Sequence, residues 1–72
     1  MDQTVRWTIG IDNGGTFTDI AVLGTDGSVH KSKAPTTPGD FATGVMNAIA
    51  EVARVMELPV AELLGATTMI KH

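Results

Sequence analysis

The 72-residue sequence contains no cysteine. There is therefore no disulfide framework and no Cys-based zinc site, and the composition fits a reducing, cytoplasmic setting. Basic residues are few: five Lys and Arg stand against eight Asp and Glu, for a net charge of −3. Being scattered as well as few, they argue against a nucleic-acid surface. No apolar run approaches the ~18 residues of a membrane span. Asp2, Gln3, Arg6 and Gly10 interrupt the region where a signal peptide would carry its apolar core. Repeats, linkers and low-complexity segments are also missing. What remains is a soluble domain, or part of one, with neither nucleic acid nor membrane as a partner. In a chain this short a single core contributes only about 3–5 kcal/mol, and nothing staples it.

What is present is strongly patterned. Val5, Trp7, Ile9 and Ile11 alternate with Arg6, Thr8 and Gly10, which predicts a half-buried strand over residues 5–11. "FTDIAVL" predicts a second strand over 17–23, and the more polar "VHKSKA" a third over 29–34, ended by Pro35. Asn13-Gly14 suits a type I′ turn between the first pair, and Asp26-Gly27 marks the tip of the second turn. The three strands read as an antiparallel meander. A helix over 38–56 follows, with Thr37 as N-cap, Pro38 at its first position and Asp40 as the capping-box acid. Its apolar stripe runs through Phe41, Val45, Ala48, Ile49, Val52, Val55 and Met56, with Asn47, Glu51 and Arg54 on the wetter side. A short helix over 59–64 ends at Gly65, and a strand opens at 67. That strand reaches His72 with no turn or cap behind it, so the sequence reads as the start of a longer polypeptide or one half of a split one, against the alternative of a frayed terminus.

The first turn carries more than a turn needs. In "DNGGT", Gly14 and Gly15 offer bare backbone on which consecutive N–H groups can hold phosphate, and Thr16 adds a hydroxyl donor. Asp12 is placed to supply a hard oxygen to Mg²⁺, directly or through water. The alternative is a tight hairpin with a satisfied aspartate, because Asp-x-Gly-Gly-Thr alone is only moderately specific. Asp19 shares a strand face with Phe17, Ala21 and Leu23, opposite Thr18 and Ile20. It is an exposed edge residue, a partner of turn backbone, or an active-site acid. His30, beside Lys31, reads as solvated; Lys31 and Lys33 read as a protective strand edge; Trp7 and the methionines 46, 56 and 69 read as core.

From Gly10-Ile11-Asp12 through the Gly14-Gly15-Thr16-Phe17-Thr18-Asp19 block, Asp26-Gly27, Thr36-Thr37-Pro38 and Gly44-Val45, the sequence resembles the N-terminal segment of the ATP-dependent hydantoinase/oxoprolinase family. That family includes N-methylhydantoinase, 5-oxoprolinase and the acetone and acetophenone carboxylases. "ELLGATTMIKH" looks like the family's approach to a His-Gly-Thr-Thr motif, of which His72 is present. The resemblance covers nearly the whole chain and departs from the family at Asn13, where an aliphatic residue or threonine is usual.

It implies an α+β or α/β fold: the first meander and helix of an actin-like (ribonuclease H-like) ATPase domain, of which residues 1–72 form only a part. It further implies ATP and Mg²⁺ as cofactors. Asp12 would serve the metal, Gly14, Gly15 and Thr16 the β/γ-phosphates, and Asn13 and Phe17 backbone contacts, with Asp12 and Asp19 as catalytic candidates. The implied enzyme phosphorylates an amide, ketone or bicarbonate oxygen before hydrolysis or carboxylation, on a small cyclic amide or ketone. The implied partner is the remainder of the same enzyme or a complementing subunit, so the isolated 72 residues are not expected to be active. Two rival readings are a sugar-kinase-like phosphotransferase that shares only the loop, and a non-catalytic actin-like assembly module.

Overall fold

The computed structural model describes residues 5–71; His72 lies outside them. The elements are β1 (Trp7–Asn13), β2 (Phe17–Gly24), β3 (Val29–Pro35), α1 (Phe41–Met56), α2 (Val60–Gly65) and β4 (Thr67–Lys71). They build a mixed α+β unit around a four-stranded sheet of order β3-β2-β1-β4. β1, β2 and β3 are the antiparallel meander, whereas β4 lies parallel to β1 on its far side. A parallel neighbour needs a crossover, and α1 with α2 supplies it.

Strand alternation decides the core. Ile9 pairs with Val22, and Ile11 with Ile20, so their side chains share one face. α1 covers that face with Ala48, Ile49, Val52 and Ala53, and Leu63 of α2 closes the end. The opposite face carries Thr8, Gly10, Asp12, Asp19 and Ala21, together with the half-exposed Phe17, Leu23, Val29 and Met69. β1 begins at Trp7 rather than Val5 and continues to Asn13, two residues beyond the expected end. Asp12 therefore belongs to the paired strand and not to the turn.

The expected helix start is corrected. Thr37-Pro38-Gly39-Asp40 forms a β-turn, closed by the Asp40 N–H donating to the Thr37 carbonyl at 3.1 Å. Gly39 takes φ +80, which suits the third position of a type II turn after proline and is incompatible with α-helix. α1 begins only after it, and the N-cap is Asp40 rather than Thr37. Its carboxylate accepts from the Thr43 N–H at 3.1 Å and the Thr43 hydroxyl at 2.6 Å. Gly44 in the next turn lets the helix approach the connector, since a Cβ there would stand 2.9 Å from the Thr37 hydroxyl.

The far end of α1 is a Schellman motif that the sequence did not advertise. The Leu58 N–H bonds the Ala53 carbonyl, and the Glu57 N–H that of Arg54. Glu57 occupies the left-handed position at φ 59, where glycine is usual. The stripe is corrected as well: Phe41 and Val55, near the two ends of α1, are exposed. Met46 points away from its buried neighbours Ala48 and Ile49, and Met69 lies on the uncovered sheet face, so neither is core. His30 is half-buried, edge-on to Trp7 with ring centroids 5.9 Å apart, rather than freely solvated.

The cap makes a testable statement. Hydrogen bonds from the Thr43 hydroxyl, and then its N–H, hold the Asp40 carboxyl below its ordinary value of 3.8. A depressed carboxylate contributes stability that is present above that ordinary value and is lost as pH falls through the lowered one. Asp40→Ala is expected to speed hydrogen exchange of the first-turn amides of α1 at neutral pH, the Thr43 amide above all. Acidification should do the same to the parent after correction for intrinsic rates. Unchanged first-turn exchange in the variant would show that Asp40 is not the cap.

Candidate functional site

The β1–β2 connection is short and tightly held. The Gly14 N–H donates to the Phe17 carbonyl at 2.9 Å, and Asn13 pairs with Thr18. Neither Asn13 nor Gly14 has positive φ, so the type I′ turn expected from Asn-Gly does not form. The strands already pair through Asn13, which moves the reversal two residues along to Gly15 and Thr16. The two glycines then differ in what fixes them. A Cβ on Gly14 would meet the Phe17 carbonyl oxygen at 2.9 Å, whereas a Cβ on Gly15 meets nothing within 4 Å. Gly14 is required by the hairpin itself; Gly15 is not.

The backbone donors divide the same way. The Gly14 N–H is spent inside the hairpin, but the Gly15 and Thr16 N–H groups have no hydrogen-bond partner among the described residues. Of the donors expected to serve phosphate, Gly14 is thus engaged elsewhere, and the available pair is Gly15 and Thr16.

Beneath the loop runs a polar chain that sequence reasoning missed. Thr18 is fully buried, and its hydroxyl lies 2.9 Å from Asn13 Oδ1 and 3.1 Å from Thr36 Oγ1. Thr36 in turn donates its hydroxyl to the Gly14 carbonyl at 2.8 Å and its N–H to the Thr16 carbonyl at 2.9 Å. A buried hydroxyl needs such partners, since leaving it unpaired costs about 1–3 kcal/mol. The Asn13 side chain is therefore part of the support, where only its backbone was expected to matter. The available signal was strand parity, which puts Thr18 on the same side as Ile20, facing the core.

Asp12 and Asp19 come together. They are direct cross-strand partners, both exposed on the sheet face that α1 leaves uncovered. A concavity there is lined by Gly10, Asp12, Asp19, Ala21 and Lys31, among others. Like charges directly opposite one another destabilise a strand pair. Lys33 faces Asp19 from β3, but its ammonium lies 4.7 Å from the Phe17 ring centroid, and no Lys33–Asp19 ion pair forms. Among the described residues neither of these adjacent carboxylates forms an ion pair, and they stand just before and just after a loop with unspent N–H donors. Their oxygens are the hard donors that Mg²⁺ prefers, and the donor set fits that ion. No group of three or more His, Cys, Asp or Glu able to hold a metal occurs among the described residues.

Comparison with known proteins bears on the whole of this unit. The chain is 45% identical over 65 residues to the acetophenone carboxylase gamma subunit of Aromatoleum aromaticum, covering 90% of the chain and 9% of that subunit. It is 37% identical over 60 residues to the caprolactamase subunit alpha of Pseudomonas jessenii, covering 83% of the chain and again 9% of the relative. The chain therefore spans under a tenth of the length of these enzyme subunits. Among solved structures, the diol dehydratase-reactivating factor in nucleotide-free form superimposes with a TM-score of 0.69 at 28% identity, over 90% of this chain and 12% of that one. Residues 8–71, which contain the loop, both aspartates and the supporting threonines, match the model of the hydantoinase/oxoprolinase N-terminal region, so the chain belongs to the hydantoinase/oxoprolinase family and represents that N-terminal region.

Proposed function

We propose that this chain carries the first phosphate-binding loop of an ATP-dependent enzyme of the family, within an actin-like nucleotide-binding domain. The observation that carries the reading is the pairing of a bare loop tip, Gly15-Thr16, whose N–H groups are unspent, with the Asp12–Asp19 pair beside it, which no ion pair engages. One hairpin thus offers donors for an anion and carboxylates for a cation, as a metal–triphosphate requires. Thr16 adds its hydroxyl, and Phe17 and Asn13 fix the two ends of the loop.

Asp12 is the residue assigned to hold Mg²⁺, with Asp19 the acid nearest to it. The ion, when bound, supplies charge neutralisation at the phosphates. The residues of this chain orient and fix the nucleotide, which is where catalysis of phosphoryl transfer mainly resides. The substrate proposed is a small amide or ketone whose oxygen is activated by phosphorylation, followed by hydrolysis or carboxylation. The names of the caprolactamase and acetophenone carboxylase relatives lie on those two sides. The rest of the same enzyme, or a complementing subunit, would complete the site in the cytoplasm.

Hydrogen exchange tests the reading directly. In the complete enzyme, Mg·ATP is expected to slow exchange over Gly14–Phe17 strongly, because the Gly15 and Thr16 amides start without partners. Identical exchange of that segment with and without saturating Mg·ATP would sink it.

A further inference from the structure

We propose that Thr36 is a positioning residue of this loop, aiming the Gly15 N–H at the bound anion; the proposal rests on the phosphate-loop reading above. Thr36 stands in the connector between β3 and α1, 22 residues from Gly14. It makes two hydrogen bonds to the loop. Its hydroxyl donates to the Gly14 carbonyl at 2.8 Å, and its N–H to the Thr16 carbonyl at 2.9 Å. These carbonyls belong to alternate peptide units, Gly14–Gly15 and Thr16–Phe17.

Peptide geometry gives those bonds a consequence. The units are planar, and no cis bond occurs among the described residues, so each N–H points opposite to the carbonyl of its own unit. Drawing the Gly14 carbonyl onto Thr36 turns the Gly15 N–H away from the connector, toward open space. Drawing the Thr16 carbonyl inward turns the Phe17 N–H away from Thr36 in the same manner. A glycine pair would otherwise let the Gly14–Gly15 unit rotate freely, since neither residue has a Cβ to restrict it.

Closure of the hairpin does not require this contact. The Gly14 N–H to Phe17 carbonyl bond and the Asn13–Thr18 pairing already define the turn. What Thr36 adds is the direction of a peptide plane. Its own hydroxyl packs 3.1 Å from that of Thr18, which is wholly buried and donates to Asn13 Oδ1. The line from the buried sheet to the loop tip is therefore Thr18, Thr36, Gly14 carbonyl, Gly15 N–H.

The test compares T36V, T36S and G15A with the parent in the complete enzyme. Mg·ATP affinity is measured by titration well below the melting temperature, and nucleotide-free thermal unfolding is recorded alongside. Valine keeps the shape and the backbone N–H and removes only the hydroxyl donor. T36V is expected to weaken Mg·ATP binding by about tenfold, the scale of one hydrogen bond, whereas T36S stays within about twofold of the parent. Nucleotide-free melting of both should stay near the parent's. Parent affinity in T36V, or equal losses in T36V and T36S, overturns the proposal. Loss of nucleotide-free stability with unchanged affinity also overturns it, by making Thr36 merely structural. Should T36V not fold, T36A is judged by the same criteria. G15A separates the two readings. Parent affinity in G15A removes the phosphate loop altogether, whereas weak binding by G15A with normal binding by T36V removes only the role of Thr36.

Discussion

Asp12→Asn in the complete enzyme is expected to lower Mg-dependent ATP turnover by about 10²–10³-fold, the scale set by deleting one preorganised electrostatic contact. Its fold should be unharmed. Asp12 is exposed, lies within β1, and makes no ion pair among the described residues. Its cross-strand partner is Asp19, another carboxylate, so removing one negative charge relieves repulsion between β1 and β2 rather than breaking a bond. A residue kept for structure alone would behave in the opposite way, with stability falling and turnover holding. Steady-state ATP turnover at saturating Mg²⁺, together with thermal unfolding, distinguishes the two. Near-parental turnover in the variant would reduce Asp12 to an ordinary strand residue.

Gly15→Ala carries the second large effect, and here stability and affinity should move in opposite directions. Gly15 does not have positive φ, and an added Cβ contacts nothing within 4 Å. Alanine at a site whose backbone it can adopt stabilises by about 0.4–1 kcal/mol, by narrowing the unfolded ensemble. The hairpin should therefore tolerate the change or benefit from it. A phosphate cradle should not, because the methyl projects into the same open space that the anion must enter to reach the Gly15 and Thr16 N–H groups. Mg·ATP affinity is expected to fall by at least about tenfold, one hydrogen bond's worth, while thermal stability holds or rises. Unchanged affinity would leave a tight turn and no phosphate site. Gly14 cannot serve as this probe. Alanine there collides with the Phe17 carbonyl, and its effect would mix folding with binding.

The legibility of the site in the sequence was uneven, and the unevenness has physical causes. Asp12, Gly14, Gly15 and Thr16 stand out because their residue types are costly or unusual for a plain turn. Thr18 and Thr36 do not, since threonine is ordinary in strands and connectors. Their importance lies in a hydrogen-bonded chain between segments distant in sequence. Asn13-Gly14 misled in a specific way. Its preference for a type I′ turn is real, but β1 runs to Asn13 and the reversal falls on the next two residues. Local turn preference gave way to strand register. The start of α1 was misplaced for a similar reason: proline suits both the first turn of a helix and the second position of a type II turn, and Gly39 settles the matter for the turn.

Period-two alternation in residues 5–11, the β-branched and apolar content of 17–23, and three- and four-residue spacing from Val45 to Met56 marked two strands and the main helix, and with them the shared face of Ile9 and Ile11; that Ile20 and Val22 face the core came from their pairing with those residues. The patterns could do so because burial acts on each residue through its own element's geometry. The family membership was legible for a related reason: the Gly-Gly-Thr-Phe-Thr-Asp block is contiguous, so its chemistry survives in one dimension. The tertiary structure alone decided that β4 runs parallel beside β1, that Asp12 stands opposite Asp19, and that Thr36 reaches back to the Gly14 carbonyl. Each of these depends on which distant segment arrives next to which. Register, crossover and hydrogen-bond direction are properties of pairs of segments, and neither member of a pair carries them by itself.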